Sequence, residues 1–324
     1  MEEQIRHFAE QFAWEPELSN AERLPADTAS VVVCGMGGSH LGARLLLRHD
    51  PTLDIRIHSD YGLPSEPAER LRGSIIVASS YSGETEETLD AARTAADAGY
   101  AVAVITTGGA LADFARDRDL PLILLPKQNV EPRMAVGAFM LALSRLMRDA
   151  DLEKGIREAG AGIDVLAGEA EGERLAARFA DAIPVIYAST LNASLAYFWK
   201  IAFNETGKIP AFYNLFPEVC HNELSGFDTA ERARGLSSRF HALQLSDVDD
   251  HPRIAKRMRI MRELLETQGV AVTTVELAGD TGLRKAFNGI LAGIWTAVAV
   301  AKQYQAPDAA TPLIAEFKHR MLES

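Results

Sequence analysis

From Val31 to Arg148 the chain alternates short apolar runs with longer stretches of helical periodicity. Val31–Cys34, Ile55–His58, Ile75–Ala78, Ala101–Ile105 and Leu122–Leu125 read as strands. Leu41–Leu47, Glu86–Ala98, Ala110–Arg116 and Ala135–Arg148, between or after them, read as helices. Such alternation builds βαβ units and a mostly parallel sheet. The strands are apolar throughout rather than at every second position, so helices must cover both sheet faces.

After about residue 150 the composition shifts to Glu, Ala, Gly and Arg. Residues 151–181 read as one or two connecting helices, interrupted near Gly160–Gly168. A second α/β pattern follows. Pro184–Ala188, Arg239–Leu245 and Ala271–Leu277 read as strands, and Leu191–Phe203, Pro252–Gln268 and Leu283–Lys302 as helices. Thr311–Leu322 closes the chain as a helix, with Thr311 as N-cap and Pro312 in the first turn. The 324 residues suffice for two domains. The expected division is 1–152 and 153–324, each an α/β domain with a mostly parallel β-sheet flanked by helices.

The balance of 33 basic against 45 acidic residues gives a formal charge of −12. That excludes nonspecific nucleic-acid binding, which needs a basic footprint. Cys34 and Cys220 are the only cysteines and make neither a disulfide framework nor a zinc site. The polar, acidic start is no signal peptide, and no apolar run reaches the ~20 residues of a membrane span. A reduced, cytoplasmic protein without membrane or nucleic-acid partners is the expectation.

Residues 75–90 carry the strongest chemical signal. An apolar strand runs into a loop with Ser80, Ser82, Thr85 and Thr88, and then into a helix. A helix start offers unpaired N–H groups and a positive dipole end. With a cluster of hydroxyls, it forms a neutral cradle for a phosphate ester. The plainer reading is helix capping, with Ser82 as N-cap and Glu84, Glu86 and Glu87 suiting the dipole; capping, however, needs one hydroxyl. The side chains of those glutamates must point away from an anion.

Cys34-Gly-Met-Gly-Gly-Ser-His-Leu-Gly42 follows the first strand. Its glycines let the backbone approach an anion closely. The dinucleotide fingerprint fails at His40, and the P-loop fails for want of its Lys-Ser/Thr pair. Arg133, in Glu131–Gly137, sits at a strand-to-helix junction, where open α/β sheets bind ligands. In the second half, Asn204-Glu205 closes an apolar helix, and His221-Asn222-Glu223 lies in a Pro-opened loop. Carboxylate and imidazole are the groups that move protons near neutral pH. Thr311 and Lys318, seven apart, share one face of the last helix.

Together these segments resemble the sugar isomerase (SIS) domain superfamily, and within it the bifunctional phosphoglucose/phosphomannose isomerases. The Gly-Met-Gly-Gly-Ser turn is matched at Gly35–Ser39, and Ser-Tyr-Ser-Gly-x-Thr-x-Glu-Thr at Ser80–Thr88. The Pro-Arg is matched at Pro132-Arg133, and Trp-Lys with Asn-Glu at Trp199-Lys200 and Asn204-Glu205. His-Asn-Glu is matched at His221–Glu223, Thr-Pro with a downstream Lys at Thr311-Pro312 and Lys318, and Asp60–Pro64 also looks like a family segment. The matches run in the family's order across nearly the whole chain.

The resemblance implies two SIS domains, a homodimer, and interconversion of aldose and ketose 6-phosphates. It implies that Gly38, Ser39, Ser80, Ser82 and Thr85 hold the phosphate. Glu205 would shuttle a proton between C1 and C2 through a cis-enediolate, which Arg133 would stabilise. His221, from the partner subunit, would assist ring opening, and Thr311 and Lys318 would line the site. Such chemistry needs neither metal nor redox cofactor. Three positions depart from the family: Glu84 stands where Asn is common, His40 where a small residue is usual, and Cys220 where Asn is usual. Mutual neutralisation of Glu84 and His40 is one expectation. Two alternatives stay open: a non-catalytic sugar-phosphate-binding protein, and an SIS isomerase acting on an aminosugar or other sugar phosphate.

Overall fold

The apolar runs of the first half become neighbours in one sheet. The computed structural model describes residues 1–26, 30–127, 130–228 and 231–322. They fall into two units. One, here N-terminal, comprises Arg6–Ile163 with Thr281–Leu283; the other, C-terminal, comprises Met1–Ile5, Asp164–Asp280 and Arg284–Ser324.

Helix α1 spans Glu2–Arg6. The N-terminal unit then contains β1 (Leu18–Ser19), β2 (Val31–Cys34), α2 (Leu41–His49), β3 (Ile55–His58), α3 (Ala68–Arg72), β4 (Ile75–Ser80) and α4 (Glu86–Asp97). It continues with β5 (Ala101–Thr106), α5 (Gly109–Asp117), β6 (Leu122–Leu124), α6 (Val136–Leu146) and α7 (Ala150–Gly160). The sheet order is β1-β6-β5-β4-β2-β3, parallel except for β1, which runs antiparallel to β6. Every residue of β2 and β4 is buried, as covering both faces requires.

Helix α6 is buried from Val136 to Ser144. Such a helix has no water for its first N–H groups. The buried Gln11 supplies the acceptor: its Oε1 takes the N–H groups of Gly137 at 2.6 Å and Ala138 at 3.1 Å. Its Nε2 donates to the Met134 carbonyl at 3.2 Å.

The C-terminal unit contains α8 (Glu169–Ala176), β7 (Ile183–Ser189), α9 (Ala193–Ile201), β8 (Phe212–Phe216), α10 (Arg234–Ser237) and β9 (Phe240–Ser246). After them come α11 (Pro252–Thr267), β10 (Ala271–Glu276), α12 (Gly282–Gln303) and α13 (Pro312–Leu322). Its four strands are parallel in the order β10-β9-β7-β8. That repeats the order β5-β4-β2-β3 of the other unit, although the two halves share no evident residue-level repeat. Helices α9 and α12 pack closely: Trp199 donates its indole N–H to the Gly289 carbonyl at 2.9 Å. A Cβ on Gly293 would sit 3.0 Å from that indole. Among the described residues no helix is long and apolar enough to cross a membrane.

Candidate active site

Strands β2 and β4 lie side by side in the sheet, so the loops at their carboxyl ends meet. The backbones nearly touch: a Cβ on Gly35 would stand 2.6 Å from the Ser79 carbonyl oxygen. Ser79 donates its hydroxyl to the Ser39 carbonyl at 2.7 Å. Ser39 in turn accepts the Tyr81 N–H at 3.0 Å.

The same pattern recurs along the loop. Ser80 Oγ accepts the Gly83 N–H at 3.1 Å, and Ser82 Oγ the Glu84 N–H at 3.2 Å. Ser80 and Thr85 share a hydroxyl–hydroxyl bond of 2.8 Å. A serine hydroxyl has one proton and two lone pairs. With a lone pair of Ser39, Ser80 and Ser82 each committed to a backbone N–H, their own protons are left to donate. Helix α4 begins just beyond, with the positive end of its dipole and its first N–H groups.

Ser82 is not the N-cap of this helix. The cap position is Thr85, without a side-chain cap bond, and Ser82 lies three residues earlier. The turn at Gly83 (φ +73°) intervenes, where a Cβ would stand 1.9 Å from the Gly108 carbonyl oxygen. Thr88, counted with the loop hydroxyls in the sequence, is buried in α4 with no hydrogen-bond partner for its Oγ1.

Glu84 turns away from the loop: its Oε1 accepts the N–H of Ala110 at 2.9 Å, in the first turn of α5. His40 does not neutralise it. Burial, and then the nearby Arg44 charge, push its pKa down to about 4, so it is neutral at pH 7. Its Nδ1 accepts from Arg44 Nε at 3.2 Å. Burial pushes the Cys34 thiol up to about 12, which leaves it protonated and unreactive.

Arg133 belongs to the same neighbourhood. Its short turn, Pro132–Met134, packs on the turn Gly37–His40. A Cβ on Gly38 would stand 2.6 Å from the Arg133 nitrogen and 2.7 Å from the Pro132 carbonyl carbon. The unit therefore brings Gly38, Ser39, Ser80, Ser82, Thr85 and Arg133 into one region.

In the C-terminal unit, α9 runs into a single π-helical turn, Ala202–Thr206, which carries Glu205. The bond from Gly207 N–H to the Ala202 carbonyl, 3.0 Å, closes the wider turn. Turns of this type inside helices are frequent at functional sites. Lys208 donates to the carbonyls of both Glu205 and Ala310. The residue before Thr311 is thereby tied to the turn that holds Glu205. Lys318 is exposed on α13, among the exposed Leu313, Ile314, Phe317 and Met321.

His221 is exposed at the end of the short turn Glu218–His221. Glu223, two residues on, is the anchor of this loop. It accepts the Tyr187 hydroxyl at 2.5 Å on one oxygen and the Asn214 amide at 2.5 Å on the other. Burial, followed by the Glu223 contact, raises the Tyr187 pKa and keeps its proton in place. Sequence reasoning quoted Glu223 only as part of a motif and missed Tyr187, Asn214 and Lys208. No local spacing links them to it.

The crevice between β7 and β9 corresponds in strand order to that between β2 and β4, but its lining is different. Lys285 Nζ bonds Asp247 and Asp249, each at 2.6 Å. Asn192 donates to Asp247 and Asp250, each at 3.3 Å. Carboxylates gathered around an internal ammonium leave no donor field for an anion.

Comparison with known proteins follows this division. Residues 169–321 match the family model of the bacterial phospho-glucose isomerase C-terminal SIS domain. A bifunctional phosphoglucose/phosphomannose isomerase of Caldicellulosiruptor bescii is 30% identical over 314 residues, covering 92% of this chain and 91% of the relative. The chain belongs to the bifunctional phosphoglucose/phosphomannose isomerase family. The family member of Aquifex aeolicus is 31% identical, over 93% of this chain and 91% of its own. A crystal structure of a hypothetical protein from Thermus thermophilus shares the fold of this family member. Its TM-score is 0.68 at 18% identity, covering 100% of this chain and 88% of that one.

Proposed function

We propose that the chain is an aldose–ketose isomerase that interconverts glucose 6-phosphate and mannose 6-phosphate with fructose 6-phosphate. The observation that carries this reading is the serine cradle. Ser39, Ser80 and Ser82 each accept a backbone N–H and keep a proton to donate, beside the start of α4. Neutral donors of this kind suit a phosphate ester.

Gly38, Ser39, Ser80, Ser82 and Thr85 bind the phosphate in this proposal. That contact is remote from the reacting carbons, so its binding energy serves to position them. Glu205 takes the proton from C2 of the aldose and returns it at C1, through a cis-enediolate. The guanidinium of Arg133 stabilises the negative charge that develops on the enediolate oxygen. His221 is contributed by the partner subunit of a homodimer and assists ring opening. Thr311 and Lys318 line the same site. Proton transfer at a carbon next to a carbonyl requires a base and an electrophile, and no electron acceptor. The protein acts in the cytoplasm.

NMR of the products formed from fructose 6-phosphate by the purified protein tests the reading. Formation of both glucose 6-phosphate and mannose 6-phosphate is the expected result. Binding without turnover would overturn it in favour of a non-catalytic sugar-phosphate binder. Glu205→Gln retains ligand binding and loses at least about 10²-fold in rate, the usual contribution of a positioned base.

A further inference from the structure

Arg133 is 1% exposed, so its charge is held almost entirely out of water. Burying a cation is costly unless it is paired. Its Nη1 donates to Glu131 Oε2 at 3.2 Å. The two residues flank Pro132, whose ring fixes φ, and the Met134 N–H closes the turn on the Glu131 carbonyl at 2.7 Å. Glu131 and Arg133 are thus held on one rigid turn, which the bare Gly38 allows to pack against the glycine turn.

Glu131 also reaches the phosphate loop. Tyr81, between Ser80 and Ser82, donates its N–H to Ser39 and sets its ring against Phe139 at 6.4 Å between centroids. Burial, and then the negative charge of Glu131, raise the pKa of its phenol. The carboxylate therefore stands within electrostatic reach of both the cradle and the arginine. No other use of Glu131 emerges from the proposed chemistry.

We infer that Glu131 is a positioning residue: its carboxylate holds the guanidinium of Arg133 in the orientation that faces the developing enediolate oxygen. This rests on the role of Arg133 proposed above. A guanidinium has five donors in a fixed fork. One engaged by Glu131 fixes the plane of the rest at the oxyanion.

Steady-state kinetics on fructose 6-phosphate and titration with inorganic phosphate, for Glu131→Ala, Glu131→Gln and Arg133→Ala, provide the test. Glu131→Ala lowers kcat about tenfold, with KM and the phosphate Kd within about twofold of the parent, because only transition-state contacts are misaligned. Glu131→Gln recovers a large part of kcat, since an amide oxygen still accepts from Nη1. The inference is overturned if kcat of Glu131→Ala stays within about twofold of the parent. It is equally overturned if kcat and phosphate affinity collapse together in both Glu131 variants, which marks a purely structural role. Glu131→Gln, nearly isosteric, keeps the test available if Glu131→Ala does not fold. An Arg133→Ala protein with full activity sinks the reading of Arg133 itself. An inactive Arg133→Ala beside a fully active Glu131→Ala sinks only this inference.

Discussion

The carboxylate of Glu84 caps α5 by accepting the Ala110 N–H at 2.9 Å. The cap residue proper is Gly108, which has no side chain for the task. A glutamate in the phosphate loop therefore places its charge at the positive end of a different helix, and braces the loop by doing so. Glu84→Ala lowers stability by about 1 kcal/mol, the usual worth of a cap. Glu84→Gln, which keeps an acceptor oxygen, loses less. Urea denaturation of the two variants measures the difference.

Gly38 is required by the approach of the Pro132–Arg133 backbone, 2.6 Å from where a Cβ would be. Gly38→Val pushes that turn away and shifts the Arg133 guanidinium. Displacement by about 1 Å costs on the order of 10²-fold in rate. Steady-state kinetics show this as a fall in kcat with the fold retained by circular dichroism.

His40 makes the folded state sensitive to acid. It takes up a proton near 6.5 in the unfolded chain and only near 4 in the fold. Above 6.5 both states are neutral there and the residue has no effect. As the pH falls from 6.5 to 4 the unfolded state alone gains the proton. Stability drops by on the order of 3 kcal/mol over that interval. His40→Gln flattens this part of the curve, as read from denaturation midpoints at several pH values.

Lys285 and Asp247 form an ion pair with both side chains essentially buried, 5% and 0% exposed, whereas Asp249 is 59% exposed. Lys285→Met strands the buried carboxylate and costs about 3–5 kcal/mol. Asp249→Asn removes a solvated partner and costs less than about 1 kcal/mol. Equal losses in thermal or chemical denaturation would refute this account of the second crevice.

The strands of the N-terminal sheet were legible because each is an uninterrupted apolar run, which only a doubly covered parallel strand requires. Strand β8 was not read: Phe212 and Tyr213 lie exposed at the sheet edge and Asn214 interrupts the run. The hydroxyl loop was legible as a cluster, but Ser82 was given a capping role that belongs by position to Thr85. Capping preference does not register the Gly83 turn that separates loop from helix. Glu205 was visible as a carboxylate at a helix end, whereas its π-helical turn was not, since no residue type specifies an i+5 bond.

Residue type and local order, then, determined the α/β class, the serine-rich loop, Arg133, Glu205 and His221, because strand periodicity and motif spacing are short-range properties. Tertiary structure alone decided where each side chain spends its hydrogen bonds. Glu84 found Ala110 across 26 residues, Gln11 found Gly137 across 126, and Lys285 found Asp247 across 38. A hydrogen bond depends on distances of about 3 Å in space. Those distances are set only when strands and helices pack.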